Sequence, residues 1–247
     1  MSKKRTRAVK AAGQRANPLA RKIPNREAIW LEGPVPTGYW MSADNRRQYL
    51  IWLGQRLGFR TLNDFYQIKT SDFKLNRGGG VLLHCWGSSS VTAVMETFPD
   101  QSWHEWLFVS CPRSFWADRK NHRRYMKWLA EQCGVNEPDD WYRITNRDFR
   151  THKGGAFLLY YESTISEAVK AYLPKRSWNE WQFDKTPKNF WNDRTNRVRY
   201  MKWLGKRLGG RKLDDWYGVT RKDFEQNFGN QLMKHYNGSP LAAAMDC

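Results

Sequence analysis

Residues 115–149, FWADRKNHRRYMKWLAEQCGVNEPDDWYRITNRDF, return as residues 190–224, FWNDRTNRVRYMKWLGKRLGGRKLDDWYGVTRKDF, and in a more divergent form as residues 39–73, YWMSADNRRQYLIWLGQRLGFRTLNDFYQIKTSDF. Equivalent residues are offset by 76 and then by 75 positions, which marks one unit used repeatedly. The copies align the chain with itself. Positions that recur are those the unit needs in order to fold, and positions that drift are expected to face solvent.

The unit reads as helical. Tyr125, Trp128, Leu129 and Cys133 fall at i, i+3, i+4 and i+8, one face of an α-helix, and Tyr200, Trp203, Leu204 and Leu208 match them, as do Tyr49, Trp52, Leu53 and Leu57. Ser42, Asp118 and Asp193 stand where an N-cap side chain accepts a backbone N–H, and Gly58, Gly134 and Gly209 stand at the C-terminal stop. Downstream, Asp64-Phe65-Tyr66, Asp140-Trp141-Tyr142 and Asp215-Trp216-Tyr217 predict a short helical turn. Thr145 with Asp148, and Thr220 with Asp223, fit a capping box in which Asp replaces the usual Glu or Gln, so a second, shorter helix should begin there. Gly78, Gly79, Gly154, Gly155 and Gly229 break it.

A third helix is announced by Ser89, by Thr164 and by Ser239, with Pro240 suited to a first helical position, and it runs to Pro99 and Pro174. The unit closes with W-x-x-W-x-F at Trp103, Trp106 and Phe108, and again at Trp178, Trp181 and Phe183. No run alternates as a strand should. The expected fold is all-α, a tandem array of about three small helical modules. A basic disordered arm covers 1–26, a partial closing segment 27–38, and modules 39–114, 115–189 and 190–247, the last truncated.

Charge narrows the function. The 247 residues carry 42 Lys or Arg against 24 Asp or Glu, a net charge of +18, which predicts attraction to polyanions. Residues 1–26 hold nine Lys or Arg and no acid. The cluster Lys3, Lys4, Arg5, Arg7 reads as a nuclear import signal, an organelle transit segment or a solvated tail. No run is long and apolar enough for a membrane span, and the basic start lacks the apolar segment of a secretory signal, so an intracellular protein is expected, with nucleus and organelle both open. Cys85, Cys111, Cys133 and Cys247 show no C-x-x-C spacing, which argues against zinc and against a disulfide framework.

A nucleophile with its base, a carboxylate pair or a metal cluster should stand out as a unique constellation. None does, so no enzymatic activity, catalytic residue, metal or cofactor is expected. His84 and His235 sit at equivalent positions whose middle counterpart is Tyr160, the pattern of a packed ring rather than a ligand. Asp72, Asp148 and Asp223 are explained by capping. Arg77-Gly78-Gly79-Gly80 and Lys153-Gly154-Gly155 offer backbone N–H groups to a phosphate or make tight turns. The recurring Trp52, Trp128 and Trp203 are read as core. Asn45, Asn121 and Asn196 recur unchanged, as a polar residue does when it is hydrogen-bonded inside the fold or contacts a ligand such as adenine.

The candidate nucleic-acid-binding residues are therefore basic. On the first helix they are Arg46 and Arg47, then Arg119, Lys120, Arg123, Arg124 and Lys127, then Arg194, Arg197, Arg199 and Lys202, all off the Tyr-Trp-Leu face. Arg147 and Lys222 add charge where the macrodipole disfavours a cation, and Lys153 stands at the glycine turn. With the arm, these residues predict a non-enzymatic protein that contacts the phosphate backbone of DNA or RNA. A helix-turn-helix use of Thr145 to Pro174 has only Lys170 to contact bases, which favours backbone binding over sequence readout. The alternative is a structural or scaffold subunit of a larger assembly, such as an organellar ribonucleoprotein, docking proteins through its aromatic modules. The recurring W-Y-x-[IV]-T, G-G-x-x-L-L and W-x-x-W-x-F signature, over nearly all of residues 28–247, resembles a Trp-rich tandem helical repeat of uncharacterised proteins and implies no functional residue.

Overall fold

The computed structural model of the chain describes residues 17–111, 114–209 and 213–247. The arm residues Lys3, Lys4, Arg5 and Arg7 lie outside them. Among the described residues every regular element is helical, as the periodicity predicts, and none is long and apolar enough to cross a membrane. The chain divides into two compact units, Met1–Arg113 and Ser114–Cys247.

In the first unit a single-turn 3-10 segment, Tyr39–Met41, leads into α1 (Ala43–Arg56). A 3-10 turn at Leu62–Gln67 follows, then α2 (Thr70–Leu75), α3 (Gly79–Trp86) and α4 (Ser90–Thr97). The second unit runs through this succession twice. It first gives α5 (Arg119–Gln132), α6 (Asn146–Thr151), α7 (Gly155–Leu159) and α8 (Ile165–Tyr172). It then gives α9 (Arg194–Leu208), α10 (Arg221–Gln226), α11 (Asn230–His235) and α12 (Pro240–Asp246).

The caps hold the starts as read. Ser42 accepts from the Asn45 amide, Asp118 from Lys120 and Asp193 from Thr195, while Thr145 and Asp148 exchange side-chain-to-backbone bonds across α6. Capping extends further than expected. Asp64 takes the amides of Arg60 and Thr61, and Asp140 those of Asn136 and Glu137. The aspartate before each buried aromatic of the D-[FW]-Y turn thus pins the turn to the chain before it.

Each copy holds four helices where three were expected, because the glycine that ends one helix also starts another. Gly154 donates its N–H to Phe149 O at 2.7 Å, closing α6, and its carbonyl accepts from Leu158 at 3.0 Å, opening α7. Gly78 and Gly229 do the same at 2.7 and 2.9 Å and at 2.8 and 2.8 Å. The glycine is required by close approach. A Cβ at Gly78, Gly154 or Gly229 would lie 1.9, 2.0 or 2.3 Å from the hydroxyl of Tyr49, Tyr125 or Tyr200. Each tyrosine in turn donates to a carbonyl just before its glycine, Asn76, His152 or Asn227, at 3.2, 3.3 and 2.9 Å.

Rings build the cores. In the first unit Trp30 meets Tyr49 and Trp52 edge-on, with centroids 5.5 and 5.6 Å apart. In the second, Trp181 meets Tyr200 edge-on at 5.4 Å and lies 5.6 Å from Trp203. The indole N–H groups of Trp30 and Trp181 are buried without an acceptor, and the edge-to-face geometry is the arrangement in which a tyrosine ring can take an N–H weakly. W-x-x-W is thus divided in its duties. Trp178 covers Tyr142 at 5.4 Å in the preceding copy, and Trp181 enters the core of the next. Trp52 is buried, whereas Trp128 and Trp203 are half-buried at the edge of the core: Trp128 packs on Tyr125 and His152, and Trp203 packs on Tyr200 and lies under Arg207.

Candidate nucleic-acid interface

The first helix of each copy starts beneath a short aromatic turn whose carbonyls capture nearby side chains. Asn45, Asn121 and Asn196 donate Nδ2–H to the carbonyls of Tyr39, Phe115 and Phe190 at 2.8, 2.8 and 3.0 Å. Their recurrence is explained by this bond, and the amides are not free to read a base. At the next position Arg46 donates to Trp40 O and Met41 O at 2.7 and 3.0 Å, and Arg197 donates to Trp191 O and Asn192 O, both at 2.9 Å.

The second copy places His122 at that position, with Nε2 2.6 Å from Trp116 O and Nδ1 2.8 Å from the Tyr161 hydroxyl. A carbonyl can only accept, so Nε2 carries the proton and Nδ1 accepts from Tyr161. Burial pushes the imidazole below its ordinary value, against the raising effect of its bond to Trp116 O, and Arg119 lowers it further.

Several cations assigned to an outer surface therefore have partners inside the fold. Arg197 is buried, and besides its two carbonyls it pairs through Nε with Asp246 Oδ2 at 2.8 Å. Arg194 donates Nε and Nη2 to the Asp246 carbonyl at 2.9 and 2.6 Å. Arg199 bonds Trp178 O and the buried Glu180 carboxylate, at 2.9 and 3.0 Å. Arg47 donates to Thr97 O at 2.8 Å and lies over Phe98. Arg119 donates to the Tyr161 hydroxyl at 3.2 Å and lies over its ring, and Arg124 donates to Asn121 Oδ1 at 3.1 Å. A guanidinium is planar and many-donored, which suits it to gather carbonyls and carboxylates where a lysine cannot. Helical spacing gives the direction of a side chain but not whether an acceptor waits there.

Lys120, Arg123 and Lys127 on α5, Arg147 on α6, Lys153, Lys202 on α9 and Lys222 on α10 are exposed. To these the structure adds Arg150, also exposed, which the copy comparison passes over because its counterparts are Lys74 and Glu225. Most of them belong to the second copy. Trp128 of α5 packs edge-on against His152 at 5.8 Å, setting the α6 end that carries Arg150 and Lys153 beside α5. Asp148, within that group, is committed to the Thr145 cap. The glycine amides do not form a phosphate cradle at Gly78 and Gly154, because both close the preceding helix. On α8, Lys170 is paired with Glu167 at 2.6 Å and with Glu180 at 3.4 Å, so the helix considered as a base reader has its one basic contact already engaged.

Comparison of the chain with family models, with curated proteins and with solved structures finds no match in any of the three.

Proposed function

We propose that the protein binds nucleic acid without catalysing a reaction, contacting backbone phosphates chiefly through its second copy. The observation that supports this reading is the exposure of Lys120, Arg123 and Lys127 on α5, whose single acid, Glu131, comes after them, with Arg147, Arg150 and Lys153 also exposed in the same copy. Charges so placed attract phosphates at any sequence, and each neutralised phosphate releases counterions. Fluorescence anisotropy of the full chain with DNA and with RNA, at low and at moderate salt, tests it. Binding should weaken steeply with salt, and replacing Lys120, Arg123 and Lys127 together by Gln should flatten the log–log slope by about 3. Weak, salt-independent binding would overturn the proposal.

A second reading, a structural subunit of a larger assembly, draws on one exposed ring. Tyr66 and Tyr142 are covered by the Trp and Phe of a W-x-x-W-x-F segment and accept a backbone N–H from His104 and Asn179 at 3.1 and 3.0 Å. Their counterpart Tyr217 is 78% exposed. An aromatic segment of that pattern is the partner this face fits. A peptide with the sequence of residues 176–184 should shift the amide resonances of residues 216–219 saturably, and no change would remove the support for this reading.

A further inference from the structure

The cleft between α5 and α8 has a counterpart between α9 and α12, and the two differ in one decisive residue. Between α9 and α12 the Asp246 carboxylate is held by Arg197 Nε at 2.8 Å and by the Tyr236 hydroxyl at 2.5 Å, while Arg194 holds the carbonyl of the same residue. Tyr236 and Arg197 keep that carboxyl below the usual carboxylate range. Shifting each position back by 75 gives Ala171 for Asp246, His122 for Arg197, Tyr161 for Tyr236 and Arg119 for Arg194. The register is sound, because Thr164 and Ser239 begin the two helices and the buried Ala168 and Ala243 occupy the same turn.

With alanine in place of the aspartate, the second copy has a cleft of about 270 Å³. Arg119, Lys120, Arg123, Tyr161 and Ala171 are among its lining residues, and the lining contains no acid. Two of those cations are additions. The third copy has Thr195 and Val198 where the second has Lys120 and Arg123. Where the internal carboxylate is lost, positive charge is gained. The first copy, with Ala43 and Asp44 at the positions of Arg119 and Lys120, has no such cluster.

We infer that the α5/α8 cleft binds a phosphate group, in the place that the Asp246 carboxylate fills between α9 and α12. Three cations without an internal counter-charge match a dianion better than a single carboxylate. Arg119 is held in position by its bond to the Tyr161 oxygen, whose proton is directed to His122. The acid next to these cations in sequence, the N-cap Asp118, is committed to the Lys120 amide and is not among the lining residues. The inference does not rest on the nucleic-acid reading, since a free phosphate monoester has the same chemistry.

The test is titration of the full chain with inorganic phosphate at constant ionic strength, followed by amide chemical shifts. Resonances of residues 119–123, Tyr161 and Ala171 should move saturably. Ala171→Asp, a change at an exposed position that supplies the third copy's own carboxylate, should weaken phosphate binding at least about tenfold without lowering Tm. Arg123→Gln, at an exposed position on α5, should weaken it as well. Linear, non-saturating shifts, or equal affinity in Ala171→Asp, would overturn the inference. The source of the phosphate is settled by a second arm using anisotropy. If Ala171→Asp also weakens nucleic-acid binding, the cleft takes a backbone phosphate. If phosphate binding is lost while nucleic-acid binding is unchanged, the cleft takes a free phosphate, and the two readings separate.

Discussion

Helices α5 and α9 share an Asp N-cap, a Tyr-Met-Lys-Trp-Leu sequence and a run of cations in their first two turns, yet they use those cations differently. On α9, Arg194, Arg197 and Arg199 all end on acceptors of the same unit: carbonyls, Glu180 and Asp246. On α5, Lys120, Arg123 and Lys127 are exposed, and the position of Arg197 is taken by a neutral imidazole. Equal charge in sequence is therefore unequal charge at the surface. A cation paired with a carboxylate of its own fold has its charge offset, whereas one bonded only to a hydroxyl, such as Arg119, does not.

The sharpest way to break this contrast is to delete one cation from each helix, at positions that are not equivalent. Arg197→Ala removes the partner of Asp246 and Tyr236 and uncovers the Trp191 and Asn192 carbonyls, all in one stroke. Removing the guanidinium leaves the Asp246 carboxylate and two backbone carbonyls without their shared donor, and the variant should be clearly less stable than the wild type. Arg123→Ala, an exposed residue of the partner helix, should stay within about 0.5 kcal/mol. Urea denaturation of both variants gives the comparison, and a cost at Arg123 equal to that at Arg197 would show that the two helices do not differ in this way.

What the helices share should respond alike. Gly154→Ala and Gly229→Ala each force a methyl against the Tyr125 or Tyr200 hydroxyl, and overpacking of this kind should cost about 2 to 3 kcal/mol in either copy. Removing the obstructing atom sharpens the point. Gly229→Ala combined with Tyr200→Phe should be less destabilised than the sum of the two single changes, a coupling readable in a double-mutant cycle. Strict additivity would mean that the glycine is kept for its contact with Phe224, whose Cβ and carbonyl lie 3.0 Å from the same point, and not for the tyrosine.

Much of this was legible in the repeated stretch. Periodicity, N-caps and C-terminal glycines gave α1, α5 and α9, because those signals are local and agree with one another. The helices α3, α7 and α11 escaped because the glycine at their N-cap, Gly78, Gly154 or Gly229, reads as a breaker. Only the meeting of Gly154 with a tyrosine some thirty residues earlier explains how one glycine serves two helices. The candidate interface was legible in kind and not in detail. The partners that withdraw Arg197 and Arg199 are Asp246 and Glu180, 49 and 19 residues away, and no spacing rule reaches that far. The one available signal was the difference between Ala171 and Asp246 at matched positions, which reads as drift until their neighbours are known.

Acid separates the two helices by the smallest and most selective effect. His122 has its pKa lowered by burial in the folded chain, so the unfolded chain takes up a proton first. Stability is then lost as pH falls below the ordinary imidazole value of about 6.5 toward the folded one. Asp246 also has a lowered pKa, through its bonds from Tyr236 and Arg197. Its contribution is complete above the ordinary carboxylate value of about 3.9 and disappears only as pH falls through the lower folded value. The open cleft should therefore weaken in mild acid and the filled one only in strong acid, where the capping carboxylates of Asp64, Asp140, Asp148 and Asp223 fail with it. Denaturation midpoints at about pH 7.5 and about pH 5.5 should differ for the wild type and differ less for His122→Gln, which keeps a donor for Trp116 O but cannot titrate. Asp246→Asn should leave that interval unchanged. If His122→Gln keeps the full wild-type difference, the imidazole is not the group that separates the two helices.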